Sequence, residues 1–186
     1  MLLRNQIAAY APCCPQECTD RRLMLKYIDE NADILLRSNE TAHFSASAWV
    51  VNPARDRVLM IYHNIYQSWA WPGGHADGEA DLLGVAMREV AEETGAAQLR
   101  ETGGGIFSLE ILPVEPHFKR GTFVAAHLHL NLTYLLEASD EQSLAIKPDE
   151  NSGVKWFALD QAVSASSEPA MRIIYQKLND KLKKRF

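Results

Sequence analysis

Cysteine is scarce in this chain of 186 residues, which has only Cys13, Cys14 and Cys18, all near the N-terminus. An odd number of cysteines without distant partners argues against a disulfide framework, so we expect reduced, partly buried thiols and a cytoplasmic setting. A zinc site at these cysteines is disfavoured, because no histidine lies in the same segment to supply a fourth ligand.

Long apolar runs are also missing from the chain. No window holds the roughly 18 consecutive apolar residues that a membrane-spanning helix needs. Arg4, Asn5 and Gln6 interrupt the apolar N-terminus early, which argues against a secretory signal. We therefore expect no membrane partner.

Positive charge is not in excess. The chain has 19 Lys and Arg against 24 Asp and Glu, a net charge of -5 at pH 7. Polymeric nucleic acid is therefore not an expected partner. A small phosphorylated ligand remains compatible with this balance, because a metal ion neutralises phosphate locally. Hydrophobic residues make up 47% of the chain, which is enough for the core of one domain.

The pattern of the chain changes after about residue 40. Residues 1–40 are predicted to be a helical extension packed on the main domain, since Leu23, Met24 and Tyr27 recur at helical spacing. A contact with substrate, or with a second copy in a homodimer, is the alternative, and these residues do not choose between them. The main domain is predicted to cover residues 41–186.

Strands are predicted over much of the main domain. Phe44–Val51 and Val58–Tyr62 are rich in β-branched and aromatic residues and flank a short turn, which predicts a hairpin. A loop over residues 63–68 and the segment 69–72 lead into the next glycines, and residues 103–105 are predicted to be a flexible glycine turn. Further strands are predicted over residues 106–112, within residues 122–137 and over residues 154–157, followed by helices over residues 159–163 and 171–182.

A glycine-rich stretch that leads into a helix is the most informative part of the chain. Gly73 and Gly74 are predicted to form a turn. Asp81 is predicted to cap a helix of about 12 or 13 residues, and Gly95 to end it in the left-handed conformation. Glycine permits close approach of the backbone, so a backbone carbonyl from this turn is a candidate metal ligand.

Three carboxylates stand near the end of this helix. Glu89, Glu92 and Glu93 are spaced at i, i+3 and i+4, so they share one face and repel one another by a few tenths of a kcal/mol per pair. A hard divalent cation, Mg²⁺ or Mn²⁺, takes oxygen ligands of this kind and would offset the repulsion. A solvated acidic helix end is the alternative.

The whole stretch resembles the signature of the Nudix hydrolases, G-x5-E-x7-R-E-U-x-E-E-x-G-U, where U is aliphatic. The match covers residues 74–96 without a gap. One position departs, because Ala80 stands where the signature has Glu. In the family that Glu usually pairs with the arginine of the signature, so we expect Arg88 to be held differently here. Glu79 and Asp81 lie on either side of Ala80 and are the candidates to take the place of that Glu.

The resemblance implies a Nudix-type α/β/α sandwich with a mixed sheet, which is an α/β fold. It also implies a pyrophosphohydrolase, dependent on Mg²⁺ or Mn²⁺, that cleaves a phosphoanhydride bond in a nucleoside diphosphate linked to another moiety. Water would attack phosphorus. One alternative is a catalytically weak module that senses a ligand. Another is an isoprenoid diphosphate isomerase, which is disfavoured because it needs a cysteine deep in the domain.

The resemblance also implies roles for individual residues. Glu150 precedes the last predicted strand, where the family often takes its general base or a further metal ligand, and Glu115 is the second choice. The implied catalytic residues are Arg88, Glu92, Glu93 and Glu150, and the implied metal ligands are the Gly74 carbonyl, Glu89, Glu92 and Glu93.

Candidate substrate contacts come from aromatic and basic residues. Trp69 and Trp71 are candidates for stacking on a base, although core or rim packing is the favoured interpretation. Lys119 and Arg120 are candidates for gripping phosphate, and a solvated loop is an equal alternative.

Histidines are left without a role by the sequence. His127 and His129 share one predicted strand face, which favours a polar sheet face over metal ligation, because zinc would need further ligands nearby.

Overall fold

The structure, a computed structural model, describes residues 2–119 and 121–186, except for the side chain of Lys119. The first helices and strands are α1 Leu2–Ala9, α2 Pro15–Glu30, β1 Ala42–Val51, β2 Arg57–His63, β3 Ser68–Ala70 and β4 Gly73–His75. Helix α3 Leu82–Thr94 follows, and then β5 Arg100–Val114, β6 His117–Lys119, β7 Thr122–Val124 and β8 His127–Glu137. The last elements are β9 Asn151–Ala158, α4 Leu159–Ala165 and α5 Pro169–Arg185.

Seven strands are hydrogen-bonded in the order β3-β2-β1-β8-β5, with β4 paired to β1 and β9 paired to β2. Strands β6 and β7 form a separate two-stranded sheet. The predicted α/β class with a mixed sheet is therefore confirmed. The predicted hairpin is also confirmed, because β1 and β2 pair antiparallel with Val51 opposite Val58.

The chain forms two compact units, each built from separate stretches. The first unit contains Met1–Ser47, Gly73–Ala86 and Gly104–Tyr134. The second contains Ala48–Pro72, Met87–Gly103 and Leu135–Phe186. The predicted division at residue 40 stays a prediction.

The N-terminal helices belong to the first unit, where they bond to β5. The Tyr10 hydroxyl donates to the Phe107 carbonyl at 3.3 Å, and Gln16 Nε2 donates to the Leu109 carbonyl at 3.0 Å. The helical prediction for residues 1–40 is correct as far as Glu30 and wrong beyond it, where turns lead into β1. A short polar segment around Asn31 ends the periodic apolar pattern before residue 40.

A buried polar network lies in the core of the first unit. The Ser108 hydroxyl lies 2.9 Å from a Glu17 carboxylate oxygen and also contacts Glu110. Thr133 donates to Glu110 at 3.1 Å, and Asn131 donates to Thr133 at 3.1 Å. Because buried polar groups need partners, this network fixes α2 against β5 and β8.

The cysteines lie at the start of this region. Cys13 and Cys18 are exposed and Cys14 is half-buried, so the expectation of partly buried thiols holds for Cys14 alone. Within the part of the chain that the structure describes, none of the three forms a disulfide.

Close backbone approach explains one of the glycines in the first unit. Strand β4 pairs antiparallel with β1, and Gly73 faces Ser47. A Cβ at Gly73 would lie 2.5 Å from the Ala46 carbonyl oxygen, which is too short for any side chain. The prediction of a turn at Gly73 and Gly74 is therefore wrong, since this tertiary pairing draws both residues into a strand.

Strand β2 is the centre of the second unit. It pairs with the end of β1, with β3 and with β9 along its whole length. The core of this unit contains Trp49 and Tyr175, whose rings stack with centroids 5.2 Å apart and are fully buried.

Strands and turns differ from the sequence predictions at two other places. The glycines at 103–105 do not form a flexible turn but lie inside β5, where Gly104 and Gly105 take positive φ values of 67° and 109°. Strand β3 is not predicted by the sequence, since three residues are too few to show alternation. Residues 122–137 contain a long strand, β8, as predicted, with the short strand β7 before it and Ala125 and Ala126 between the two.

Among the described residues, no helix combines the length and the apolar character needed to cross a membrane.

Candidate metal and phosphate site on helix α3

Helix α3 is fixed at both ends by the residues that the sequence indicates. Asp81 accepts the Gly84 N–H on its side chain at 3.1 Å, and its carbonyl accepts the Val85 N–H at 3.1 Å. Gly95 takes a φ of 69°, where a side chain would be strained. The 13 residues of Leu82–Thr94 agree with the predicted length. These caps determine where the helix begins and ends.

The three glutamates of α3 differ in their exposure. Glu93 is buried, with 3% exposed, while the side chains of Glu89 and Glu92 are 17% and 45% exposed. Burial raises the pKa of Glu89 above its ordinary value, and the neighbouring Glu92 charge raises it further. Negative charge on this face is therefore unfavourable without a cation.

Lys147 supplies one cation to this face. Its ammonium lies 3.0 Å from Glu92 Oε2 and 3.0 Å from Glu150 Oε2. Burial lowers the pKa of Lys147, but its hydrogen bonds to Glu150 and Glu92 outweigh that effect and raise the pKa overall. The lysine thus joins the candidate general base to the end of α3.

Arg88 lies beside the glutamates of its own helix. Its guanidinium is 3.9 Å from a carboxylate oxygen of Glu89 and 3.9 Å from one of Glu92. Both pairs are partly exposed, so each contributes little to stability, about 0.2–1 kcal/mol at most. The guanidinium nevertheless adds positive charge next to two candidate metal ligands.

The start of β9 is bound to the end of α3 by a buried amide. Asn151 is fully buried, and its Nδ2 donates to the Glu93 carbonyl at 2.8 Å. Sequence reasoning missed both Asn151 and Lys147. In the sequence both residues lie near Glu150 in a polar stretch. Solvated loop residues lie in such stretches as well, so this position alone does not indicate a functional role.

The remaining candidates lie in other places. Glu150 lies in the turn before β9, as predicted, and Glu115 is exposed between β5 and β6. Gly74 lies on β4 in the first unit, whereas the three glutamates lie in the second. The roles of Glu115, Glu150 and the Gly74 carbonyl stay predictions.

The two tryptophans are not equivalent. Trp69 is half-buried on β3, and its ring meets Phe157 edge-on at 4.8 Å. Trp71 is only 8% exposed and meets Tyr175 edge-on at 5.4 Å. Of the basic candidates, Arg120 and the side chain of Lys119 lie outside the described residues.

The donor chemistry of the α3 face fits a hard divalent cation. Glu89, Glu92 and Glu93 are anionic oxygen donors on one helix face, and Glu92 already shares one cation with Glu150. Mg²⁺ and Mn²⁺ prefer oxygen ligands of this kind and leave positions for water and phosphate.

A family model for the NUDIX domain matches residues 41–178 of this chain. The chain belongs to the NUDIX domain family. This finding confirms the resemblance that the signature between residues 74 and 96 indicated.

One curated relative is a Xenopus laevis protein named m7GpppN-mRNA hydrolase NUDT17. It is 30% identical over 114 residues, which cover 59% of this chain and 36% of the relative. The chain thus spans about a third of the length of the curated relative that it matches.

Solved structures share the fold at low identity. A C. elegans Ap4A hydrolase in a binary complex has a TM-score of 0.55 and 19% identity, covering 75% of this chain and 94% of that one. The Nudix hydrolase RenU from M. smegmatis has a TM-score of 0.57 and 17% identity, covering 76% and 86%. At these identities the likeness concerns the fold alone.

Proposed function

We propose that this chain is a Nudix pyrophosphohydrolase that depends on Mg²⁺ or Mn²⁺. Its substrate would be a nucleoside diphosphate linked to another moiety, cleaved at a phosphoanhydride bond. The supporting observation is the acidic face of α3, where the Lys147 ammonium lies 3.0 Å from both Glu92 and Glu150. Family membership supports the same class of reaction.

The chain's own residues have distinct tasks in this proposal. Glu89, Glu92 and Glu93 hold the divalent cation in this proposal. When bound, the cation polarises phosphoryl oxygens and lowers the pKa of a water molecule. Arg88 places positive charge beside the transferred phosphoryl group.

Glu150 is the proposed general base. Its carboxylate accepts a proton from the attacking water, whose oxygen forms a bond to phosphorus while the bond from phosphorus to the bridging oxygen breaks. The bridging oxygen leaves with the electron pair on the second phosphate. The ammonium of Lys147 bridges Glu150 and Glu92 at 3.0 Å from each.

Trp69 is the better of the two tryptophans for stacking on a base, because part of its ring is exposed while Trp71 is buried. Lys119 and Arg120 are proposed to bind the phosphates of the substrate. The N-terminal helices as a homodimer contact, and a cytoplasmic location, stay predictions.

A hydrolysis screen tests the proposal. The full chain is incubated with nucleotide sugars, ADP-ribose, dinucleoside polyphosphates, modified dNTPs and a capped RNA, with Mg²⁺, with Mn²⁺ and with neither. The dinucleoside polyphosphates and the capped RNA follow the names of similar proteins. We expect cation-dependent cleavage of at least one small nucleotide, measured by chromatographic separation of its two phosphorylated products.

One observation supports a second candidate function. Ala80 replaces the glutamate that the signature requires, which is compatible with a module that binds a nucleotide without turnover. Calorimetric binding of a nucleotide that the chain fails to cleave with either cation would support this role and exclude the enzyme.

A further inference from the structure

Four histidines that are far apart in the sequence meet in the first unit. His43 lies on β1, His75 on β4, and His127 and His129 on β8. One ring nitrogen from each of His43, His75 and His129 lies within 4.8 Å of the other two. His129 Nε2 is 3.2 Å from His75 Nε2 and 3.2 Å from His127 Nε2.

Backbone carbonyls determine which nitrogen of two of these rings carries the proton. His43 Nδ1 lies 3.0 Å from the Asn39 carbonyl oxygen, and His127 Nδ1 lies 2.8 Å from the Ala125 carbonyl oxygen. A carbonyl only accepts, so each Nδ1 must donate its N–H. In the neutral ring, Nε2 then carries a lone pair. Metal-binding histidines are usually held by such an outer hydrogen bond.

Hydrogen bonds among the rings do not account for this cluster. His129 Nε2 has a nitrogen at 3.2 Å on each of two sides, yet a ring nitrogen offers one hydrogen or one lone pair. His43 Nε2 is buried and has no hydrogen-bond partner among the residues that the structure describes. A buried lone pair without a partner is unfavourable, and it calls for a positively charged ligand.

We propose that this cluster binds a divalent metal ion of the zinc class through His43, His75 and His129, with His127 as the fourth ligand. Imidazole nitrogen suits Zn²⁺, Ni²⁺ and Cu²⁺. Tetrahedral zinc with Zn–N bonds of about 2.0–2.1 Å places neighbouring nitrogens about 3.3 Å apart. The two measured nitrogen separations of 3.2 Å are close to that value.

The histidine site is chemically separate from the acidic face of α3. Its ligands are neutral nitrogen atoms in the first unit, whereas the glutamates are anionic oxygens in the second. Mg²⁺ prefers the oxygens and zinc-class ions prefer imidazole. The two sites can therefore be tested independently of each other and of hydrolysis.

Metal binding by the full chain tests the proposal directly. Chelator-treated protein is titrated with Zn²⁺ in a calorimeter, and its retained metal is measured by elemental analysis after desalting. Co²⁺ is used as an optical probe, because imidazole-bound tetrahedral Co²⁺ absorbs strongly in the visible. We expect one tightly bound zinc equivalent and the tetrahedral cobalt spectrum.

Three variants locate the ion. His75→Gln should weaken binding by more than the roughly 10- to 100-fold that loss of an outer-shell partner costs. His63→Gln removes a histidine of the second unit and should leave binding unchanged. The triple variant Glu89→Gln, Glu92→Gln, Glu93→Gln should keep its zinc equivalent.

Any of three results would overturn the site. They are a wild-type chain that retains no zinc, an unchanged zinc affinity in His75→Gln, or loss of zinc in the triple glutamate variant. The cobalt spectrum of the wild-type chain needs no variant, so a failure of His75→Gln to fold does not remove the test. The hydrolysis screen decides the proposed function separately.

Discussion

Asn151 donates its side-chain amide to the main-chain carbonyl of Glu93 at 2.8 Å, and Asn151 is fully buried. This bond connects the last turn of α3 to the first residue of β9. It therefore fixes the backbone of Glu93, a candidate metal ligand, to the strand that directly follows Glu150, the candidate general base.

Replacing Asn151 by alanine should lower both stability and turnover. The change removes a buried hydrogen bond and opens space for solvent, so we expect a loss of about 1–3 kcal/mol in the free energy of unfolding. Denaturant titration measures it. Asn64→Ala is the matched control, because Asn64 is exposed and its amide donates to the Pro148 carbonyl at 3.2 Å. Equal losses in the two variants would contradict the special role of Asn151.

The carboxylates of α3 should be essential for hydrolysis. In Glu92→Gln or Glu93→Gln the side chain keeps its size but loses its charge, and we expect metal-dependent turnover to fall by about 100-fold or more. Circular dichroism should show an intact fold. Glu141→Gln changes an exposed loop glutamate and serves as the control. Full activity in the α3 variants would contradict the assignment of the metal ligands.

Removing the lysine between two carboxylates should tighten cation binding. The ammonium of Lys147 competes electrostatically with a metal ion for Glu92 and Glu150. We expect Lys147→Met to bind Mn²⁺ roughly 2- to 10-fold more tightly, as followed by electron paramagnetic resonance. Lys147→Arg keeps the charge and should resemble the wild type. Weaker binding in Lys147→Met would instead mean that the lysine orients Glu92 for the metal.

Ala80 offers a test by gain of function. It is exposed, so a larger side chain is tolerated. Ala80→Glu completes the family signature, and we expect kcat to rise by about 10-fold, or about 1.4 kcal/mol in the barrier. Ala80→Gln controls for size without charge. An unchanged kcat would show that the missing glutamate does not limit the rate.

Gly73 should tolerate no side chain. A methyl group there would lie 2.5 Å from the Ala46 carbonyl oxygen, so Gly73→Ala should cost about 1–3 kcal/mol or more in the free energy of unfolding. At Gly84 the nearest atom is a carboxylate oxygen of Asp81 at 2.8 Å, which lies at the end of a side chain that can rotate, and alanine also favours the helix. Thermal melts should therefore show Gly84→Ala close to the wild type.

Local chemistry made part of this structure predictable. Asp81 and Gly95 are read correctly because a cap and a left-handed end depend on neighbours within one turn of helix. The three glutamates are placed on one face by helical spacing alone. Family membership then follows from the same short stretch of sequence.

Tertiary contacts made the rest unpredictable. The strand position of His75 was not predictable, because its partner strand lies about thirty residues earlier, with Ser45 opposite it. The two histidines of β8 showed one shared face in the sequence, but nothing there indicated that His43 and His75 join them. Likewise, nothing in the sequence indicated that Lys147 lies next to Glu92.

The division of the chain into stretches also bears on how the protein reaches its native state. The first unit needs residues from Met1–Ser47, Gly73–Ala86 and Gly104–Tyr134. Two stretches of the second unit, Ala48–Pro72 and Met87–Gly103, lie between them in the sequence. During synthesis it cannot be completed until residue 134 has emerged from the ribosome. Contacts of such long sequence separation slow folding, because each closes a large loop before it is stabilised. Neither unit can be expressed as one continuous fragment, because each is built from three stretches that alternate with those of the other along the chain.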